Sequence, residues 1–164
     1  MVAYSIVTGP VPGVLHRIVD MHDCYYGSRW GFDAAFTHKN VAELSDFLGE
    51  FDPGRDGLWT AQVGGTVEGS VAIDGSPATV SGMAELRWFL VSDSLRGHGA
   101  GSQLLDAALT FCRDKAFSSV HLWTFAGLDH ARRLYDGAGF VLTEQRLGTR
   151  WGTEVVEQRL ELDL

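Results

Sequence analysis

Residues 94–105, SLRGHGAGSQLL, put glycine at 97, 99 and 101 between a strand-like apolar run, MAELRWFLV at 83–91, and a helical stripe. A chain surrenders that much backbone rigidity where main chain must turn through positive φ or come close to another group. A strand, a glycine-rich turn and a helix, in that order, leave the N–H groups of the first helical turn unpaired and facing outward, where the helix dipole favours negative charge. The segment therefore predicts an anion cup over residues 97–102, with Arg96 adding a guanidinium toward phosphate oxygens. A Walker A loop is excluded, because Ser102-Gln103 follow Gly101 where Lys and Ser or Thr are required. A dinucleotide fingerprint beginning at Gly97 would need Gly or Ala at 102, where this chain has Ser102. The alternative is a flexible strand-to-helix turn without a ligand.

Around that segment the periodicity changes repeatedly between 2 and 3.6. MVAYSIVTG (1–9) reads as a strand, 11–26 as a helix through Val14, Leu15, Ile18, Val19 and Met21, and 33–48 as a helix presenting Phe36, Val41, Leu44, Phe47 and Leu48. LWTAQV and TVEGSVAI flank Gly64-Gly65, the signature of a tight hairpin. Residues 74–82 read as a connection, 83–91 as a strand, 100–115 as an amphipathic helix, 119–125 as a strand and 128–139 as a short helix. FVLTEQRL and TEVVEQRLEL make two last strands around a turn at 150–152. The order predicts an α/β (α+β) fold, a mixed sheet flanked by helices, as one domain over 1–164.

Acidic residues outnumber basic ones and the net charge is −8, which argues against nucleic acid as a partner and mildly favours cationic or amine ligands. The two cysteines, Cys24 and Cys112, lack metal-ligand spacing and read as free buried thiols of a reducing, cytoplasmic compartment. No signal-peptide pattern or membrane-length apolar run is present, so no membrane partner is expected. The six histidines show no H-E-x-x-H or related spacing, so no metal is expected either.

FLVSDSLRGHGAGSQLL resembles the acyl-CoA-binding signature of the GNAT superfamily of N-acyltransferases, with Arg96, Gly99 and Gly101 in its core pattern. ARRLYDGAGF (131–140) resembles the same superfamily's later signature, a helix containing A-x-x-L-Y that ends in G-F. More narrowly, ELRWFLV, HLWTFAGLDHARRLYDGAGF and RWG resemble the acetyltransferase half of proteins in which it follows a MarR-type regulator. The DNA-binding half is not expected here. The resemblance implies a mostly antiparallel central sheet, acetyl-CoA (coenzyme A) as cofactor and transfer of its acetyl group to a small-molecule or peptide amine by direct attack. It also implies that the pantetheine arm lies along Phe89, Leu90 and Val91, with the diphosphate over Arg96, Gly97, His98, Gly99, Ala100, Gly101 and Ser102. A homodimer is possible, since the superfamily often dimerises.

Tyr135 stands at the superfamily's tyrosine position and is the expected general acid for the departing thiolate, a phenol's pKa lying not far above a thiol's. A core tyrosine is the other reading. Strand alternation puts Glu85, Arg87, Phe89 and Val91 on one face, with Leu86, Trp88 and Leu90 on the other. Charges on a central strand imply an internal ion pair or a face opening into a cleft, so Glu85 is either the base that deprotonates the amine or an ion-pair residue. Tyr25, Tyr26, Trp30 and Phe32 form an aromatic cluster, either core or a cation–π wall for the acceptor, and Tyr26, Trp30 and Arg87 are the expected acceptor contacts. Leu128 stands where many members of the superfamily have an Asn that helps to hold the cofactor. The competing function is a non-catalytic acyl-CoA sensor or partner-docking module.

Overall fold

The computed structural model describes residues 2–164. In chain order its elements are β1 (Ser5–Thr8), α1 (Val14–Trp30), α2 (Ala34–Gly49), β2 (Gly57–Val63), β3 (Thr66–Asp74), α3 (Ala78–Ser81), β4 (Met83–Val91), α4 (Ala100–Asp114), β5 (Ser119–Phe125), α5 (Asp129–Ala138), β6 (Val141–Gly148) and β7 (Val155–Asp163). The first strand is shorter than the expected 1–9, whose first residue lies outside the described residues. Helix α1 runs a turn past residue 26, until Gly31 adopts the left-handed conformation that ends it. The Asp33 side chain caps α2 by accepting from Ala35 N–H. A single helical turn, α3, sits inside the connection expected at 74–82.

The strands form one sheet in the order β1-β2-β3-β4-β5-β7-β6, antiparallel throughout except for β4 beside β5. The exception follows from connectivity: α4 is the crossover between β4 and β5, and a crossover returns the chain in the same direction. Helices α1 and α2 cover one face, where Ile18, Leu44, Phe47 and Trp88 bury together. Leu104, Leu105 and Leu109 of α4 fill the other with Leu122 and Leu160. The fold is the expected mixed, mostly antiparallel sheet between helices.

Two features shape the middle of the sheet. The parallel pairing of β4 and β5 stops at Glu85 opposite His121, so the strands part beyond it and residues 86–91 have no β5 partner. Within the same stretch β4 bulges: Ala72 pairs with Arg87 and Ser70 with Leu90, so Trp88 and Phe89 together face one residue of β3. Trp88 takes φ 48° there, a left-handed conformation that costs about 1–3 kcal/mol in a bulky residue and is held by burial of its indole.

The bulge corrects one expectation. Glu85 and Arg87 do not share a face with Phe89 and Val91, because one extra residue reverses side-chain direction beyond it. Ala84 and Leu86 join the α4 core, whereas Trp88 and Leu90 join the α1–α2 core and Phe89 and Val91 turn toward α4. Two smaller corrections follow from packing. On α2 it is Asn40, 8% exposed, that points inward, while Val41 is 40% exposed. Of the two free thiols, Cys112 is buried but Cys24 is exposed.

Candidate functional site

The divergence of β4 and β5 opens the sheet, and two connected cavities occupy the gap. The first, of about 190 Å³, is a groove between the end of β4 and the start of α4, lined by Phe89, Leu90, Val91, Arg96, Gly97, Gly99, Gly101 and Ser102, with Ala131 and Leu134 of α5 opposite. Gly97 and Gly99 have φ of 82° and 84°, so a β-carbon there would be strained, and Gly99 is the N-cap of α4. Gly101 serves a different purpose: a β-carbon at that position would stand 3.1 Å from Leu134 Cδ1, so glycine lets α4 approach α5. The first helical bond runs from Gln103 N–H to Gly99 O, which leaves the N–H groups of Ala100, Gly101 and Ser102 without intrahelical partners. Gly97, His98 and Gly99 have no main-chain acceptor among the described residues either. Six consecutive donors at a helix N-terminus form a cup suited to a diphosphate.

The other expected groove residues take particular positions. Arg96 donates from Nη1 to Asp93 Oδ1 (2.8 Å) and from Nη2 to the Val91 carbonyl (2.9 Å), so its guanidinium is anchored at the end of β4 rather than extended. The His98 ring folds back, with Nδ1 3.2 Å from Leu95 O, and the side chains of His98 and Ala100 lie outside the groove. The free β5-side edge of 86–91 offers main-chain groups to an extended amide-bearing chain.

The second cavity, of about 330 Å³, lies between β4, β5, the α1–α2 layer and the β6–β7 loop. It shares Tyr26, Phe89, Leu128 and Ala131 with the groove, so the two meet at those four residues. Tyr135 is 5% exposed, packs on Phe89 and Phe140 at ring distances of 5.8 and 5.7 Å, and lines the second cavity. Burial, with the Tyr26 hydroxyl nearby, pushes its pKa well above the ordinary phenol range. Tyr26 is shifted the same way by burial and Tyr25, against the opposing pull of Arg96.

Glu85 and Arg87 both line this chamber. Glu85 Oε1 is 3.4 Å from Arg87 Nε and Oε2 is 3.4 Å from His121 Nε2, while Arg87 also pairs with Glu43 of α2. Burial alone would raise the Glu85 pKa. The His121 contact and the Arg87 and Arg150 guanidiniums outweigh it, and the net shift is downward. Trp30 stands apart: it packs edge-on against Phe125 at 5.1 Å, within an aromatic core that includes Phe32 and Phe36, and lines neither cavity.

Among the lining residues that the sequence did not single out as functional, three bear on the chemistry. His22 lies 5% exposed on the inner stripe of α1, four residues after Ile18; its Nδ1 donates to Ile18 O at 2.8 Å, and burial lowers its pKa to about 4, so Nε2 keeps its lone pair. Asn40 follows Phe36 and precedes Leu44 at four-residue steps, a polar residue in an apolar row that the spacing could have exposed. Arg150, in the β6–β7 loop, lies over the Trp123 ring at 3.9 Å, a long-range contact with no local signal. Among the described residues no cluster of three or more His, Cys, Asp or Glu is arranged to hold a metal, and no helix is long and apolar enough to cross a membrane.

The chain resembles known proteins along most of its length. Rat (Rattus norvegicus) N-acetyltransferase family 8 member 2 is 34% identical over 104 residues, which cover 62% of this chain and 46% of that protein. The chain spans about half the length of the curated relatives it matches. An acetyltransferase of the GNAT family from Staphylococcus aureus Mu50 superposes with a TM-score of 0.77 at 15% identity, over 99% of each chain. The YncA protein of Salmonella typhimurium, solved with its cofactor acetyl-CoA, gives 0.74 at 16% identity, over 99% of this chain and 94% of that one. The model of the Acetyltransferase (GNAT) family matches residues 15–140, more than half of the chain, and the chain belongs to that family.

Proposed function

We propose that this chain is an acetyl-CoA-dependent N-acetyltransferase, one domain that acts on a small-molecule or peptide amine. The observation that carries the reading is the junction of a main-chain anion cup with a polar chamber at Tyr26, Phe89, Leu128 and Ala131. The cup at 97–102 would hold the diphosphate, and the free edge of β4 at 89–91 the pantetheine amides. When bound, acetyl-CoA supplies an activated acetyl thioester. Residue 128 is Leu rather than Asn, so its side chain offers no hydrogen bond to the cofactor.

Transfer to an amine forms a C–N bond and breaks a C–S bond, so one proton must leave nitrogen and one must reach sulfur. Tyr135 Oη, protonated at neutral pH as any phenol is, is the donor for sulfur in this reading, although burial raises its pKa and makes it a weaker acid than a free phenol. The proton leaving nitrogen has two acceptors on the chamber wall. Glu85 is the expected base; its lowered pKa makes it an ionised carboxylate that attracts an ammonium and accepts a proton only weakly. His22 Nε2 is unprotonated and stands on the same wall, but burial lowers its pKa to about 4, so it too accepts a proton only weakly. Tyr26 and Arg87 face the acceptor, and the free thiols suit a reducing compartment such as the cytoplasm. Kinship with the acetyltransferase half of proteins in which it follows a MarR-type regulator is part of this proposal. Thiol release from acetyl-CoA across an amine panel, with calorimetry of acetyl-CoA on the folded protein, tests it. Saturable binding without turnover of any acceptor favours the sensor, and no binding at all ends both readings.

The homodimer draws support from β6, an edge strand that leaves Val141, Leu142 and Leu147 60%, 41% and 69% exposed. In an antiparallel alignment of two copies centred on Gln145, Glu144 of each copy faces Arg146 of the other, a self-complementary pattern suited to a twofold axis. Light scattering of the purified chain should give twice the monomer mass, and Leu147→Lys should return it to the monomer mass. A wild-type chain that is monomeric at high micromolar concentration would overturn this pairing.

A further inference from the structure

We propose that the acceptor is an amine that also carries a carboxylate, and that Arg150 and Asn40 receive that carboxylate. This rests on the acetyltransferase reading and narrows its substrate class. The chain has a net charge of −8, yet the chamber is lined by three cationic side chains, Lys39, Arg87 and Arg150, against two anionic ones, Glu43 and Glu85. A chamber built only to attract an ammonium would have the opposite balance.

The pairing within the chamber shows which donors are free. Glu43 bonds to Lys39 at 2.8 Å and to Arg87, and Glu85 is shared by Arg87 and His121, so Lys39 and Arg87 are compensated. Arg150 is paired through Nε alone, which donates to Glu157 Oε1 at 3.0 Å; Arg146, 3.8 Å from the same oxygen, has Glu144 as its own partner at 3.2 Å. The Nη groups of Arg150 have no protein acceptor among the described residues, and the guanidinium carbon lies over the Trp123 ring, 3.9 Å from its centroid. A guanidinium with its Nη fork open and its position held by a ring and an Nε partner is arranged for two parallel bonds to a carboxylate.

Asn40 supplies an independent observation. Trp88 Nε1 donates to Asn40 Oδ1 at 3.4 Å, which sets the direction of the amide, and Asn40 Nδ2 is left buried with no acceptor. A buried donor without a partner is costly unless a ligand supplies the acceptor. The two groups belong to one wall: a β-carbon on Gly152, two residues after Arg150, would touch Ala35 Cβ at 3.0 Å, so the β6–β7 loop packs on the helix that carries Asn40. In the proposed pose the two oxygens of an acid group accept from Arg150 and Asn40, with the amine left toward Tyr26 and Glu85; a carboxamide offers a single acceptor oxygen and its NH2 none, and a simple amine carries no such group.

The test measures thiol release from acetyl-CoA with free amino acids, ω-amino acids included, against the matching carboxamides. The acids should exceed the carboxamides by about 100-fold in kcat/KM. Arg150→Gln should abolish that difference by lowering only the acids. Arg150→Lys keeps a charge beside Glu157 while losing the fork, and should lose most of the preference even if the Gln variant does not fold. Calorimetry of the same acids on protein saturated with coenzyme A gives a second readout, in which Arg150→Lys should weaken the acids alone. Carboxamides used as well as acids, or equal loss for both in the Arg150 variants, would overturn the inference and leave the acetyltransferase reading standing. Acids that bind through Arg150 without being acetylated would leave Arg150 as a carboxylate contact but overturn the inference about the acceptor together with the acetyltransferase reading. Binding of neither class overturns the inference.

Discussion

Gly97 separates two roles that glycine can play in one loop. Its φ of 82° favours glycine for conformational reasons, and its β-position is open, with no protein atom within 4 Å. In Gly97→Ala the left-handed conformation costs about 1–2 kcal/mol, and the less flexible unfolded chain returns about 0.4–1 kcal/mol. The net loss of about 1 kcal/mol corresponds to a fall in Tm of about 2–4 °C for a chain of this size. Gly97→Asn should lose less, because Asn tolerates the left-handed region. Affinity for acetyl-CoA should behave differently. If the main chain at 97 closes on a diphosphate, any β-carbon intrudes, and both variants should bind about tenfold or more weakly, each decade being about 1.4 kcal/mol. Scanning calorimetry of the free protein gives the first quantity and titration calorimetry the second. Wild-type affinity in Gly97→Asn would refute the cup at that residue.

The remaining perturbations address protons. Tyr135→Phe should lower kcat about 100-fold with acetyl-CoA affinity nearly unchanged, as loss of a proton donor requires, and Tyr26→Phe measured beside it tells which phenol serves the sulfur. His22, with a folded pKa of about 4 against about 6.5 unfolded, contributes stability that is full above the unfolded value and lost as pH falls toward 4, in all about 3 kcal/mol. Denaturant unfolding of His22→Gln should be flatter between pH 6.5 and 4, and an unchanged slope would show the imidazole to be solvated. The lowered pKa of Glu85 gives a contribution present above the usual carboxylate range and lost as pH falls through the folded value. Glu85→Gln should therefore show less acid sensitivity in the same experiment.

Much of this architecture can be read along the chain. The strands at 83–91 and 119–125 match their apolar runs end to end, and the glycines at 97 and 99 mark the start of α4, because strand period, helix period and turn chemistry are local properties. The site is less legible for the opposite reason. Nothing in Trp88-Phe89 announces a bulge, and without it the directions of Glu85 and Phe89 are misassigned. The chamber exists because β4 and β5, whose first residues are 36 positions apart, part beyond Glu85 and His121. Arg150 reaches it from a loop that reads only as a turn, and Asn40 was hidden by assigning the inner face of α2 to its neighbour Val41.

The extra residue in β4 also makes one strand answer to two different structural supports. Leu86 and Leu90 are the same residue, four apart and similarly concealed, yet the first braces α4 and the second braces the α1–α2 pair. Trimming either to alanine should cost about 2–5 kcal/mol, but the loosening would spread in opposite directions. The helix that begins at the glycine loop would weaken in one case, and the helices that wall the second cavity in the other.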